Sequence, residues 1–341
     1  MKLIRATLAL AGLAVLTGCD VPTEAPILDQ RWILPVDNST ISVNELLPSG
    51  VTVSGGNFAV AVAAFNTNKS LGDFCTPCSA LNGLTAPMPP FNGTLNLSQT
   101  LPANVAQATV VSGSARIAIQ NGFSFDPLAG GGSLTVTMYD GQGGRQIGQT
   151  VFSAPLAAGT TVTRTLTVAA GAIGASLHVD AALASPGGQT TTINTGQRLT
   201  ITATPNPILV SSARVNVASR SVTVAPVDLD VSDIDSAITD RIQNGGIILD
   251  ITNPFGVGVT AQLDITYPGG KITKTLNVGS GATSTATLSY SGDELRSFLG
   301  KSGVRMTGSG TVSSSAGYIT VTPGQQVLIK AKIDLTLRIG D

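Results

Sequence analysis

The sequence is poor in charge. Of its 341 residues, 19 are Lys or Arg and 20 are Asp or Glu, together 11%, where a soluble domain ordinarily carries about 25%. The formal net charge is −1 and no block of like charge occurs, so electrostatic recognition of nucleic acid or acidic lipid has no basis. Histidine is scarcer still. The single His178 excludes a histidine-rich metal site and any multi-histidine catalytic centre. Three cysteines are too few for a disulfide-dense scaffold or a four-cysteine zinc site. Nine Phe, four Tyr and one Trp leave an outer-membrane barrel, which would share the low charge, without its aromatic girdles. Beyond one N-terminal run, no stretch approaches the ~20 consecutive apolar residues of a membrane helix. Mean hydropathy is nevertheless +0.30, so the apolar content is spread over short segments.

Those segments have the period of strands. Val327, Ile329, Ala331, Ile333, Leu335, Leu337 and Ile339 alternate with Lys330, Lys332, Asp334, Thr336 and Arg338, which predicts a long strand with one wet face. Ala261, Leu263, Ile265 and Tyr267 alternate in the same way, Pro268-Gly269-Gly270 turns the chain, and Ile272 to Val278 returns as a hairpin. Phe58 to Phe65 is apolar throughout and is expected to be buried on both faces. With 39 Gly and 18 Pro punctuating the chain, the expected class is all-β.

Two short helices are expected beside the strands. Ser232 is placed to cap a turn starting at Asp233, with Ile234, Ile238 and Ile242 on one face. Ser291 and Glu294 form a capping box, Leu295, Phe298 and Leu299 supply the inward stripe, and Gly300 supplies the stop. An internal repeat organises the rest. Residues 113–123 (GSARIAIQNGF) match 245–255 (GGIILDITNPF): in both, a strand ends in Asn (Asn121, Asn253) with Phe (Phe123, Phe255) two residues later. Tyr139 and Tyr267 end matched strands, and Gly196-Gln197 and Gly324-Gln325 each open a further matched strand. Residues 56–66 resemble the start of a third, degenerate copy.

Few residues offer chemistry. Cys75-Thr76-Pro77-Cys78 has redox-motif spacing, but it lies among Asn, Gly and Pro with no helical period after it. The expectation is a local disulfide in an exported loop. Asp228, Asp230, Ser232, Asp233 and Asp235 form the densest acidic cluster, of which Asp228, Asp230 and Asp235 are weak cation candidates. As an EF-hand loop the cluster fails, because Asp233 stands where glycine is needed and Thr239 where glutamate is needed. His178 and Asp180 share one strand face, yet no nucleophile-elbow sequence accompanies them, and His178 is expected at a strand surface. Trp32 opens an apolar run and is expected in the core.

At the N-terminus, Lys2 and Arg5 precede an apolar stretch, Ala6 to Leu16, which runs into Leu16-Thr17-Gly18-Cys19. This resembles a bacterial lipoprotein signal peptide with its lipobox. The resemblance implies cleavage before Cys19, acylation of that cysteine, and a membrane-anchored protein of the cell envelope; Asp20 behind it hints at inner-membrane retention. The second repeat, with Asn253-Pro254-Phe255, a hairpin, the capped helix and a long last strand, resembles late-embryogenesis-abundant type 2 and WHy domains. Those are small β-sandwiches linked to stress protection, and they bring no catalytic residues to carry over. In the first copy Gly122 replaces the proline.

The sequence therefore predicts an all-β chain of tandem antiparallel β-sandwiches, Ig-like or LEA type 2-like, with one or two short helices. Its expected parts are a signal peptide (1–18), a tether (19–29), an N-terminal β segment (30–91) and two sandwich repeats (92–218 and 219–341). The expected role is a non-catalytic binding or structural module with no cofactor, held to a membrane at Cys19 and docking a protein partner, not nucleic acid. A stress-protective role is the alternative; an envelope enzyme lacks a convergent acid, base or nucleophile.

Overall fold

The computed structural model describes residues 27–36, 38–313 and 317–340. The expected signal segment, Cys19, Asp20 and most of the tether lie outside the described residues. Residues 30–91 make no separate domain. Their strands β1 (Leu28–Pro35), β2 (Ser39–Ser42), β3 (Val51–Ser54), β4 (Asn57–Val60), β5 (Phe65–Ser70) and, past the one-turn helix α1 (Leu71–Phe74), β6 (Thr85–Pro87) are shared out among sheets built mainly from later residues.

The first sandwich uses β7 (Phe91–Thr100), β8 (Val105–Asn121), β9 (Ser133–Asp140), β10 (Gln146–Phe152), β11 (Thr161–Val168), β12 (Gly171–Ile173), β13 (Ser176–Ser185), β14 (Thr190–Thr192) and β15 (Arg198–Pro205). One layer runs β11–β8–β15–β5 and the other β10–β9–β13–β7. After the linking strand β16 (Ile208–Asn216), the second uses β17 (Ser221–Asp228), α2 (Ser236–Thr239), β18 (Ile242–Thr252), β19 (Gly258–Tyr267), β20 (Gly270–Val278), β21 (Thr283–Ser291), α3 (Gly292–Phe298), β22 (Arg305–Ser313), β23 (Tyr318–Val321) and β24 (Gln326–Ile339). Its layers run β21–β18–β24–β1, with β2 also on β24, and β20–β19–β22–β17. Strand for strand the two orders agree: β8 corresponds to β18, β9 to β19, β13 to β22 and β15 to β24.

Alternation drives both cores. Along β24, Ile329, Ala331, Ile333, Leu335 and Leu337 are buried while the residues between them face outward, and the same period buries Leu177, Val179, Ala181 and Leu183 on β13. The apolar side chains gather in two clusters, one per sandwich. The sandwiches stack head to tail. Phe255, Val257, Val222 and Val312, at the Asn253 end of the second, pack into the first cluster. There β16 binds the N-terminal half of β8 on one side and β4 and β23 on the other, so a strand of the second copy completes a sheet of the first. The edge of β24 not taken by β18 is covered by β1 and β2, from Leu28 opposite Ile339 to Ser42 opposite Gln326.

Three local expectations are corrected. Phe58 to Phe65 is not one strand buried on both faces: β4 ends at Val60, and Ala61, Ala63 and Ala64 are exposed. An Ala-rich run satisfies an apolar count without needing burial. The helix expected from Asp233 is a single turn, α2, capped by Asp235, whose carboxylate accepts from Ala237 N at 2.7 Å, and Ile242 opens β18 instead. The Cys-x-x-Cys segment is not a plain loop. Ser70 and Asp73 form a capping box on α1, and a 3-10 turn, Thr76–Leu81, follows. By contrast, α3 carries the expected Ser291/Glu294 box, buries Leu295 and Phe298, and stops at Gly300, which sits at φ +75°.

Candidate functional site

The repeated Asn is the most elaborated polar group. Asn121 is fully buried; its Nδ2 donates to the carbonyls of Phe125 and Leu156, both at 2.8 Å, and its Oδ1 accepts from Phe123 N at 2.9 Å. Asn253 repeats this: Nδ2 donates to Val257 O at 2.6 Å and Oδ1 accepts from Phe255 N at 3.1 Å. Both side chains stand in for a backbone partner where a long strand leaves its sheet, and burial makes each bond costly to lose. Gly122 stands where the second copy has Pro254 for a local reason. Its N–H donates to Arg198 O at 3.0 Å, which proline cannot do, and a Cβ would lie 2.5 Å from that oxygen.

Cys75 and Cys78 are joined by a disulfide with Cα atoms 5.3 Å apart, and both are fully buried. Leu71 N donates to Gln197 O and Gly72 N to Thr195 O, which fixes the bridged turn at the Asn121 end of the first sandwich. Exchange chemistry needs an accessible thiolate, and this geometry presents none.

His178 departs from expectation. It is 6% exposed rather than at the surface, and it joins a residue that sequence spacing did not reveal. Its Nδ1 lies 2.7 Å from Ser98 Oγ, directly opposite on β7, and its Nε2 lies 2.8 Å from Asp180 Oδ1. A carboxylate only accepts, so Nε2 carries a hydrogen, and in the neutral ring Nδ1 then accepts from Ser98. Serine, histidine and aspartate are thus in series, but with the two ring nitrogens exchanged relative to a hydrolase triad. Ser98 sits in mid-strand, and none of the cavities described below touches these residues. The arrangement serves to satisfy a buried imidazole on an outer sheet face.

The weak cation candidates do not converge. Asp228 accepts from Arg305 Nε at 2.8 Å, and this partner holds its carboxyl below the usual range. Asp235 is used as the α2 cap. Among the described residues, no three His, Cys, Asp or Glu side chains form a group that could hold a metal. Asp228 and Asp230 line two open clefts of about 390 and 420 Å³. At the opposite, Asn253 end of the second sandwich, Val222, Phe255, Val257 and Val312 help to line an apolar cavity of about 50 Å³, a third of the roughly 150 Å³ that admits benzene.

The free end of the second sandwich is where the described chain begins. Ile27 and Leu28 are 61% and 60% exposed there, beside Ile339. Trp32 on β1 is half-buried against the second core rather than inside it. Arg31 binds Asp334 through two 2.7 Å contacts and holds that carboxyl below its ordinary range. Lys274 reaches Glu294 at 2.7 Å; with Ser291 N–H it lowers that carboxyl too. Ion pairs at this end join Arg31 to Asp334, Lys274 to Glu294, Arg296 to Asp293 and Arg305 to Asp228.

The chain is therefore an all-β protein of two antiparallel sandwiches with the same strand order. No protein-family model and no curated protein matches it. Among solved structures, a Parabacteroides distasonis protein described as secreted shares 9% identity at a TM-score of 0.38, over 90% of this chain and 99% of that one. A Eubacterium rectale protein, also described as secreted, shares 10% at 0.24, over 95% and 98%. The infectious bursal disease virus VP2 subviral particle shares 11% at 0.22, over 93% and 73%. These likenesses are too distant to bear on activity or partner. Among the described residues, no helix is long and apolar enough to cross a membrane.

Proposed function

We propose that this protein is a lipid-anchored lipoprotein of the bacterial cell envelope and a non-catalytic binding or structural module that serves as a docking subunit for a protein partner. The observation that carries the proposal is the N-terminal order of charge, apolar run and Leu16-Thr17-Gly18-Cys19, ahead of two rigidly linked sandwiches. Acylation of Cys19 supplies the anchor, since several chains at about 0.8 kcal/mol per buried methylene hold a membrane firmly. Shared strands at the junction support a stiff spacer, because bending the two sandwiches apart would break the pairing of β16 with β8 and β23. Replacing Cys19 with alanine is expected to release the protein from membranes and abolish acyl labelling. Unchanged association with retained label contradicts the anchor.

A stress-protective role like that of WHy domains is the second reading, favoured by the buried Asn turn that recurs in both copies. It predicts that the purified protein preserves a reporter enzyme through drying at molar ratios where albumin does not.

A further inference from the structure

The chain enters the fold at an unexpected place. Cys19 precedes the first sandwich in sequence, yet β1 does not belong to that sandwich. It runs antiparallel along β24, the last strand, and places Leu28 opposite Ile339. That is the free end of the second sandwich: Arg338 N donates to Arg241 O there, just before β18 begins, and α3 and the Tyr267–Gly270 turn lie at the same end, with the Tyr267 and Phe298 rings 6.5 Å apart. The other end of the second sandwich is spent on the junction with the first.

We infer that the C-terminal sandwich stands at the lipid bilayer, on the end formed by Ile27, Leu28 and the Ser302 turn, and that the N-terminal sandwich is held outermost with its disulfide-pinned tip farthest from the membrane. Sequence order and order from the membrane are thus reversed.

Chain length supports the inference. Ile27 follows Cys19 by eight positions, a reach of at most about 29 Å at ~3.6 Å per residue. The 14-residue β24 is about 46 Å long at ~3.3 Å per residue, and the first sandwich begins beyond its far end. A fully extended tether does not span that length, so an upright molecule brings only the second sandwich to the lipid. The surface agrees. Of the large apolar side chains exposed among the described residues, Ile27 and Leu28 are adjacent in sequence and lie at this end, beside Ile339. Apolar contact through Ile27 and Leu28, together with the anchor, holds this end.

The inference rests on the anchor proposed above, and the test separates the two. Ser302→Cys, in the exposed turn before β22, and Ala158→Cys, in the exposed turn at the Asn121 end of the first sandwich, are labelled with a donor dye on the full-length lipidated protein. The protein is then bound to phosphatidylethanolamine/phosphatidylglycerol vesicles carrying an acceptor lipid. Strong energy transfer from residue 302 and its loss at residue 158 are expected. Equal transfer, or stronger transfer from 158, overturns the orientation while leaving the anchor intact. Protein that does not bind the vesicles, or a Cys19→Ala form that binds equally well, overturns the anchor and the inference with it.

Discussion

Asn121 and Asn253 allow the repeat to be tested energetically. Replacing Asn121 with alanine removes three hydrogen bonds and leaves Phe123 N, Phe125 O and Leu156 O without their side-chain partner in a site with no solvent access. At a net value of about 1 kcal/mol per bond, the expected loss is about 3 kcal/mol. Asn253 makes two such bonds, so Asn253→Ala is expected to cost about 2 kcal/mol on the same basis. Aspartate at 121 retains the acceptor but turns a carboxylate oxygen toward two carbonyls. An unpaired buried charge costs about 3–5 kcal/mol, so Asn121→Asp is expected to be worse than alanine at neutral pH. Urea unfolding followed by far-ultraviolet circular dichroism reads all three. Trp32, the only tryptophan, packs against the second core, so its fluorescence reports that sandwich separately. A loss below about 0.5 kcal/mol for Asn121→Ala, well short of one net bond, refutes the assignment of these side chains as structural anchors.

Tyr290 is buried, and its hydroxyl has no hydrogen-bond partner among the described residues; burial and nearby Glu294 push its ionisation up. Tyr290→Phe is expected to stabilise by about 1 kcal/mol in urea melts, and destabilisation contradicts this. Glu294, Asp334, Asp228, Asp250 and Asp264 are all lowered by ion-pair or hydroxyl partners. Their stabilising effect is present above the ordinary carboxylate range and lost as pH falls through the lowered values, so the urea midpoint should drop below about pH 4, less steeply in Glu294→Gln. Cys75→Ala/Cys78→Ala is expected to fold with a loss of about 2 kcal/mol for so short a loop, and mass spectrometry of the exported wild type should find the two joined. A fragment of residues 219–341 lacks the β1 and β2 cover of β24 and is expected to aggregate or stay unfolded, with residues 27–42 supplied as a linked strand restoring a cooperative melt.

What the sequence made legible was local. The alternation of β24, the hairpin at Pro268–Gly270 and the Ser291/Glu294 helix required only periodicity and capping, and the structure has each of them. Long-range pairing was not legible. Nothing within Leu28–Pro35 identifies Gln326–Ile339 as its partner across some 300 residues, although the wet-faced last strand needed a neighbour on each edge. For the same reason nothing in the sequence places Ser98 beside His178: cross-strand neighbours are set by register, which no spacing along one chain reveals. The one-turn helix before Cys75 does have a signal, the Ser70-x-x-Asp73 box, but no apolar stripe follows it to mark a helix. The Asp228–Asp235 cluster shows the converse, since density along the chain is not convergence in space: Asp228 pairs with Arg305 and Asp235 caps α2.

The central claim is tested most directly by mass spectrometry of the mature N-terminal peptide from membranes of the native host. The account predicts a peptide that begins at Cys19 and carries the added mass of a diacylglyceryl group on its sulfur, with or without an acylated amine. A peptide beginning at any other residue, or an unmodified Cys19, contradicts it.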